Sequence, residues 1–384
     1  MTILSEAFSS ELAILPPARL PGADGLSLTR VAGRNRACML QLWRALEERS
    51  GRVPIMGSWQ WVDAWLNHYA DLIPHFFVVG STGQVPRAIC LVTRGVNQRD
   101  AGLQLRTLHL GTAGEPEEDS VCVEYNGWPV EPEFERPFAR GLAEMFREDQ
   151  SWDELRVDGV EASLLPPLVQ ALGQVSTRAL PSHYFDLAHA RQTGQDPLAL
   201  LGQSTRRSIR KCLRAGGQLT CEWADDVAHA HDVFDDLIRL HQARWTKAGK
   251  PGAYASSRFT AFHRELIERL VPLGRLSLVR VRQEGNVLGC VQLLIDRRRV
   301  LYYQSGVALS EAALSHGLLV TYLALVECLA RGYDQYDFLA GDGQHKRAFR
   351  SAEAKMCWVA QRRPRAALVI LDTLRHVARL FKRA

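Results

Sequence analysis

The stretch from Gly274 to Phe349 constrains the fold of this chain more than any other. It opens with RLSLVRVR, Arg275 to Arg282, and turns at Glu284-Gly285-Asn286. VLGCVQLLID follows, Val287 to Asp296, then a basic turn, Arg297 to Arg299, and VLYYQSGV, Val300 to Val307. Runs rich in Val, Leu and Tyr, bounded by Gly, Asn and charge, read as strands joined by hairpins. Ser315 can then cap a helix from about His316 to Arg331, and Gly332 can end it. QYDFLAG reads as a short buried strand that runs into a polar cluster, GDGQHKRAF. The helix N-terminus in such an arrangement, with its unsatisfied N–H groups and positive dipole end, can hold a pyrophosphate.

At 384 residues the chain is long for one core, so two domains are expected. A hydrophobic content of 46% and a charged content of 23% are those of a soluble globular protein. The net charge of +5 is too mild to argue for nucleic acid, and it suits anionic partners such as a nucleotide cofactor or a lipid surface. No apolar run is long enough to span a bilayer, and the N-terminus lacks the basic start and apolar centre of a signal peptide. A cytoplasmic protein is therefore expected, peripheral at the inner face of the membrane if the C-terminal helix described below binds there. The eight cysteines are spread singly with no C-x-x-C pair, which argues against zinc and for small buried thiols in a reducing compartment.

The remaining chain divides by composition. Residues 1–30, with Pro16, Pro17 and Pro21, read as a loosely ordered lead-in. Helices are expected over Arg36 to Arg49 and Trp59 to Tyr69, where Trp61, Trp65 and Tyr69 share one face. HFFVVGS and PRAICLVTRG read as strands around Gly83, LQLRTLHLG as a third strand, and 113–128 as an acidic loop. Phe138 to Phe146 reads as a helix and WDELRVDGV as a strand, so residues 31–180 repeat the order of the C-terminal half in degraded form. A boundary is expected near Leu180 to Leu187, giving a second lobe over 181–365. Thr205 to Ala215 is a basic helix with Arg207, Arg210 or Lys211, and Arg214 on one face; this reads as a solvated face or as a patch for phosphate or membrane. Residues 366–384 place Ala367, Ile370, Leu371, Leu374, Val377 and Phe381 on one stripe with basic residues off it. Such a basic amphipathic helix packs on protein or lies at a membrane surface.

The stretch LHQARWTKAGKPGAYASSRFTAFHREL, the YYQSG strand, Ser315-His316-Gly317, YDFLAGD and Lys346 together resemble the CelD/BcsL-like branch of the GNAT superfamily, beside the FemAB aminoacyltransferases. The resemblance covers about Leu180 to Arg365 and extends more loosely to SWQWVDAWLNHY and LHLGTAGEPEEDSVCVEYNG. His316 stands where that branch often has Pro, and His345 where an aromatic is common. The resemblance implies an α+β fold, α/β in its mixed sheet, built as tandem GNAT-like (acyl-CoA N-acyltransferase) lobes with a cleft between them. It implies transfer of an acyl group from acyl-CoA, or from an acyl carrier protein, to a primary amine. The acceptor it suggests is an amino sugar of an envelope or polysaccharide precursor, with a long-chain lipid amine as the alternative. Neither a metal nor nucleic acid is expected to take part, and an aminoacyl-tRNA donor is disfavoured because nothing resembles a large tRNA-binding patch.

Site residues follow from that resemblance. The pyrophosphate is expected at Ser315, His316 and Gly317 and the N–H groups of Leu318 and Leu319, although Ser-His-Gly alone is also an ordinary N-cap. The oxyanion donor is expected among the backbone N–H groups near Gln304, Ser305 and Gly306, with Gly306 suited to a bulge; YYQSG equally reads as a plain strand end. Asp342, His345 and Lys346 cluster past the QYDFLAG strand. Asp342 is expected to accept or orient the amine proton, Lys346 to hold a phosphate or oxyanion, and His345 to shuttle a proton. Asp-Gly is also a common turn, and Lys346 with Arg347 also suits a solvated helix start. His241, Arg244 and Trp245 share one helix side, with His241 as a further catalytic candidate, Trp245 as an apolar wall, Arg244 as a phosphate partner and TKAGKPGAYASSRF as a lid; a core Trp beside an exposed Arg reads as well. Glu124, Tyr125 and Asn126 are carried over as acceptor-side residues.

Other chemistries fail on inventory, since the chain has no G-x-S-x-G elbow, P-loop or H-E-x-x-H. A reading of another class, an inactive pair of lobes serving as an accessory subunit of a polysaccharide-synthesis complex, differs in surviving substitution of Asp342 or Lys346.

Overall fold

The computed structural model describes residues 20–21, 25–164, 166–215, 217–309, 315–366, 368–370 and 373. Its described residues fall into two compact units, one within Met1–Val53, Tyr69–Arg178 and Cys357–Ala384, the other within Pro54–His68 and Ala179–Met356. The basic helix expected over 366–384 and the lead-in over 1–30 lie largely outside the described residues. No helix among the described residues is long and apolar enough to cross a membrane.

The first unit begins with strand β1 (Ser27–Ala32) and helix α1 (Arg36–Ser50). The next helix, α2 (Trp59–Tyr69), lies almost entirely within the second unit. Strands β2 (His75–Thr82) and β3 (Val85–Arg94) form a hairpin, and the turn places Gly83 at φ +58°. Strand β4 (Thr107–Leu110) adds antiparallel to β3. Helix α3 (Glu135–Glu148) then crosses to β5 (Glu154–Glu161), which pairs parallel with β4. Phe138, Leu142 and Phe146 recur every four residues on α3, so they form one stripe, and that stripe packs on Val78, Cys90, Leu108 and Val157.

The second unit carries β6 (Ser176–Asp186), α4 (Gln203–Arg214), β7 (Leu219–Ala224), α5 (Val227–Lys247) and α6 (Ser257–Leu270). The meander follows as β8 (Leu276–Gln283), β9 (Asn286–Asp296) and β10 (Arg299–Val307). Helix α7 (His316–Ala330), β11 (Gln335–Ala340) and α8 (Gln344–Phe349) complete it. The strand order is β6-β11-β10-β9-β8-β7, antiparallel except for the β10–β11 pair that α7 connects. Strand, helix, meander, helix and parallel strand thus occur once in each unit.

Local chemistry sets these boundaries. The Asp226 carboxylate accepts from the His229 N–H at 2.9 Å at the start of α5, and the Ser256 hydroxyl accepts from the Phe259 N–H at 3.0 Å at the start of α6. Each such cap contributes about 1 kcal/mol. Gly332, at φ +85°, ends α7 as its sequence position predicts: its N–H and that of Tyr333 close back on Leu329 and Cys328. Alternation splits the meander between two faces. Val279, Val281, Val291 and Leu293 pack with Ile209 of α4 and Leu319, Val320 and Leu325 of α7. Gln292 faces α6, where its Nε2 lies 3.2 Å from His263 Nδ1.

Helix α2 is held on α6 by polar as well as aromatic contacts. Asp63 pairs with Arg269 at 2.7 Å, His68 with Glu265 at 2.7 Å, and the Trp61 and Phe262 rings meet edge to face at 5.0 Å. These contacts explain why a tryptophan-rich helix that the sequence places in the first lobe groups with the second unit.

Two irregularities position the site. The register of β9 against β10 jumps from Gln292↔Gln304 to Leu293↔Tyr302, so Tyr303 is an extra residue, a β-bulge. The parallel ladder between β10 and β11 runs from Arg299↔Gln335 to Leu301↔Asp337 and ends there. The bulge therefore begins where the two parallel strands stop pairing.

Candidate active site

Four elements of the second unit converge beyond that point. On β10, the Tyr302 hydroxyl shares hydrogen bonds with Ser305 and with Thr321 of α7; its pKa is raised by burial, so it stays protonated. The Thr321 hydroxyl donates to the Gly317 carbonyl at 2.8 Å. These bonds tie the strand past the bulge to the first turns of α7. Arg244, near the end of α5, is exposed and close enough to act electrostatically on both Tyr302 and His345.

The α7 N-terminus differs in detail from the sequence expectation. The N–H groups of Leu318 and Leu319, expected to face a ligand, both donate to the Ser315 carbonyl, at 2.9 and 3.1 Å. Helix geometry leaves the N–H groups of His316 and Gly317 for an anion. Ser315 makes no side-chain cap. Among the described residues a Cβ on Gly317 would meet only Val307 Cγ2, at 3.9 Å, so none of them closes the approach to this backbone.

Gly306 is not the bulge. A Cβ there would lie 2.5 Å from the Leu237 carbonyl oxygen and 2.9 Å from the His241 nitrogen. The glycine is needed because β10 presses directly on the α5 backbone. Gln304 pairs across the ladder with Gln292, so the two side chains leave the same face of the sheet.

At the end of β11 the chain kinks. Leu339 has φ +61°, an uncommon conformation for a branched residue. Buried Asp337 holds it, accepting from the Leu339 N–H at 2.7 Å and from the Ser182 hydroxyl at 2.9 Å. Lys346, expected to bind phosphate or oxyanion, donates instead to the Leu339 carbonyl at 3.1 Å and to that of Ala340. Its ammonium thereby fastens α8 to the strand end.

Asp342 lies 3.0 Å from Nε2 of His183, a buried residue of β6. That hydrogen bond, followed by Arg347, lowers the carboxyl pKa. Asp342 is therefore ionised at neutral pH and a weak base; it suits orienting a cation better than accepting a proton. His345 is exposed, and its pKa is lowered by partial desolvation first and then by Lys346 and Arg244. It is neutral at pH 7 and able to accept a proton.

His241 is buried, with a pKa lowered mainly by desolvation, and its ring packs 5.0 Å from Tyr254 and 5.8 Å from Trp245. Trp245 remains 36% exposed, with the Lys250 ammonium 5.5 Å from its ring centroid. Glu124, Tyr125 and Asn126 belong to the first unit. Tyr125 and Asn126 are buried there, and the Asn126 side chain donates to the Leu110 carbonyl at 2.8 Å, so both hold the loop after β4.

His183, Tyr302 and Thr321 were not singled out in the sequence. His183 sits in an unremarkable strand, Tyr302 reads as an aromatic core residue, and Thr321 carries only its i, i+4 spacing from Gly317.

Residues 203–347 match the family described as acetyltransferase (GNAT) domain. Among solved structures, the fold is similar to that of FemX, with a TM-score of 0.54 and 11% identity over 83% of this chain and 95% of that one. It is also similar to L-PGS from Bacillus licheniformis, with a TM-score of 0.52 and 10% identity over 87% of this chain and 95% of that one. At such identity the likeness is one of fold. No curated protein matches the chain. Together with the order of elements repeated in the two units, these matches give a mixed α/β tandem GNAT fold with its GNAT-matching domain in the second unit.

Proposed function

We propose that the second unit is an acyl-CoA-dependent N-acyltransferase that acts on a primary amine of an amino sugar in an envelope or polysaccharide precursor. The observation that carries this reading is the parting of β10 from β11 at Leu301 and Asp337, directly before the Tyr303 bulge and beside the backbone at Gly317. A pantetheine-like chain fits where two parallel strands stop pairing, and its pyrophosphate fits on the N–H groups of His316 and Gly317, with Arg244 as a counter-charge.

The chain's own groups cover the steps of amine acylation. The amine must lose a proton to form the amide, and neutral His345 can accept it. Ionised Asp342, oriented by His183, holds the ammonium form before that transfer. Alternate N–H groups of β10 past Leu301 point away from β9 and no longer face a paired strand, which makes them donors for the thioester oxyanion; one such donor is worth about 3–4 kcal/mol of barrier. The ammonium loses one proton to His345 to become the nucleophile; the second, released as the C–N bond forms and the C–S bond breaks, goes to the departing thiolate, so CoA leaves as the thiol.

Binding is tested by thermal shift with CoA, acetyl-CoA and palmitoyl-CoA, since a ligand held only by the folded state raises its melting temperature. Mass spectrometry of mixtures with glucosamine or a sphingoid amine then identifies the acylated product. A shift with CoA species and N-acyl glucosamine support the reading. An N-acyl sphingoid product redirects it to lipid, and no shift with any CoA species counts against an acyl-CoA donor.

A further inference from the structure

On the α5/α6 face of the same sheet lies a buried polar cluster that the acyl-transfer chemistry above does not use. The Tyr254 hydroxyl oxygen, His263 Nε2 and Gln292 Oε1 are all buried without a hydrogen-bond partner among the described residues. Their residues are 7%, 0% and 0% exposed. Buried polar atoms are normally paired with protein or with ordered water, so three of them on one face of the sheet can take a polar group of a bound molecule.

The cluster is built rather than incidental. Gln292 Nε2 and His263 Nδ1 are 3.2 Å apart. If the Gln292 amide donates to Nδ1, His263 carries its proton on Nε2 and leaves one N–H donor beside one carbonyl acceptor. If the amide is turned, Nδ1 carries the proton, and the pair leaves one NH₂ donor beside one Nε2 acceptor. Either way it presents one donor and one acceptor. Burial holds His263 neutral, with its pKa lowered to about 3, so neither partner offers a charge. The surroundings are aromatic: the His263 ring lies 4.3 Å from Phe259, 5.1 Å from Phe262 and 5.1 Å from Tyr303.

Its place matters as much as its chemistry. Tyr303 is the bulged residue, and Gln292 pairs across the ladder with Gln304. The cluster therefore abuts the bulge from the face opposite Val291 and Leu293, which pack against α7. Tyr254 comes from the segment between α5 and α6, where Gly249 and Gly252 have φ of +71° and +73°. That segment is latched by a 2.7 Å hydrogen bond from the Gln242 amide to the Pro251 carbonyl.

We propose that Tyr254, His263 and Gln292 form a specificity subsite for an uncharged hydroxyl group of the acceptor, reached when the 248–256 segment opens. A hydroxyl both donates and accepts, which is what the pair presents, and an aromatic surround suits the faces of a sugar ring. The inference rests on the N-acyltransferase reading and deepens it: the acceptor is a hydroxylated amine.

The test uses the full chain with acetyl-CoA and two amines, glucosamine and cyclohexylmethylamine, which carries no hydroxyl. Tyr254→Phe removes one oxygen, and Gln292→Met keeps the side-chain length. Both variants should raise KM for glucosamine by roughly tenfold, the effect of one lost hydrogen bond to substrate, with kcat, KM for acetyl-CoA and turnover of cyclohexylmethylamine unchanged. Direct calorimetric binding of glucosamine should weaken in parallel. If both variants leave KM and binding of glucosamine unchanged while turnover persists, the cluster holds buried water only and the subsite is refuted with the acyltransferase reading intact. If the wild-type chain neither binds glucosamine nor acylates either amine, the functional reading fails first and the subsite falls with it.

Discussion

His183 Nε2 and Asp342 Oδ1 stand 3.0 Å apart, joining a buried imidazole of β6 to an exposed carboxylate beyond the end of β11. The pair fixes where the post-strand turn lies and keeps Asp342 ionised. His183→Leu should raise the Asp342 pKa toward the usual carboxylate range, because the hydrogen bond that is the largest cause of its depression is removed. Carbon-detected NMR titration of the Asp342 carboxyl reads this directly. The sign is that of a depressed carboxylate: whatever stability the pair contributes is present at neutral pH and is lost as pH falls through the folded-state pKa. An unchanged titration would show that His183 does not hold the charge.

His345 is expected to set the acid limb of the rate profile. Its folded pKa is lowered, so the neutral, proton-accepting form persists below pH 6.5 and is lost only under more acidic conditions. The limb in kcat/KM should therefore fall below pH 6.5, and Arg244→Gln should move it upward by removing a nearby cation. His345→Ala should abolish the limb and slow turnover about 10²–10⁴-fold. A limb that survives in His345→Ala would assign the base elsewhere.

Gly317→Ala separates ligand approach from stability. Alanine is favoured over glycine within a helix by about 1 kcal/mol, and its Cβ would meet nothing closer than 3.9 Å among the described residues. The variant should melt no lower than the wild type while its KM for acetyl-CoA rises. An unchanged KM would remove Gly317 from the pyrophosphate site.

Gly306→Ala should behave in the opposite way. The new Cβ would press on the Leu237 carbonyl and the His241 nitrogen, both backbone atoms that cannot swing aside. A loss of about 1–3 kcal/mol in denaturant unfolding is expected, as for overpacked cores. Stability equal to wild type would mean that β10 and α5 are less closely apposed than described.

The meander, α7 and its Gly332 stop were legible because strand alternation, hairpin residues and cap chemistry are local signals. The Tyr303 bulge was not, since a bulge is a relation between two strands, and YYQSG carries the same residues with or without it. Gly306 shows the ambiguity of a glycine: a bulge and a close backbone approach both call for a missing Cβ, and only the position of α5 decides. Lys346 was correctly placed past the strand end, yet its partners are carbonyls exposed by the Leu339 kink, and a leucine gives no warning of positive φ. His183 and α2 depend on partners far away in sequence, Asp342 for one and α6 for the other, so no window along the chain could have paired them.

The central claim is tested most directly by measuring free CoA thiol released from acetyl-CoA by the wild-type chain and by His345→Ala, with and without glucosamine. The account predicts release by the wild type that requires the amine and falls at least a hundredfold in the variant. Release without amine, equal release by both proteins, or none with glucosamine or any other primary amine would contradict it.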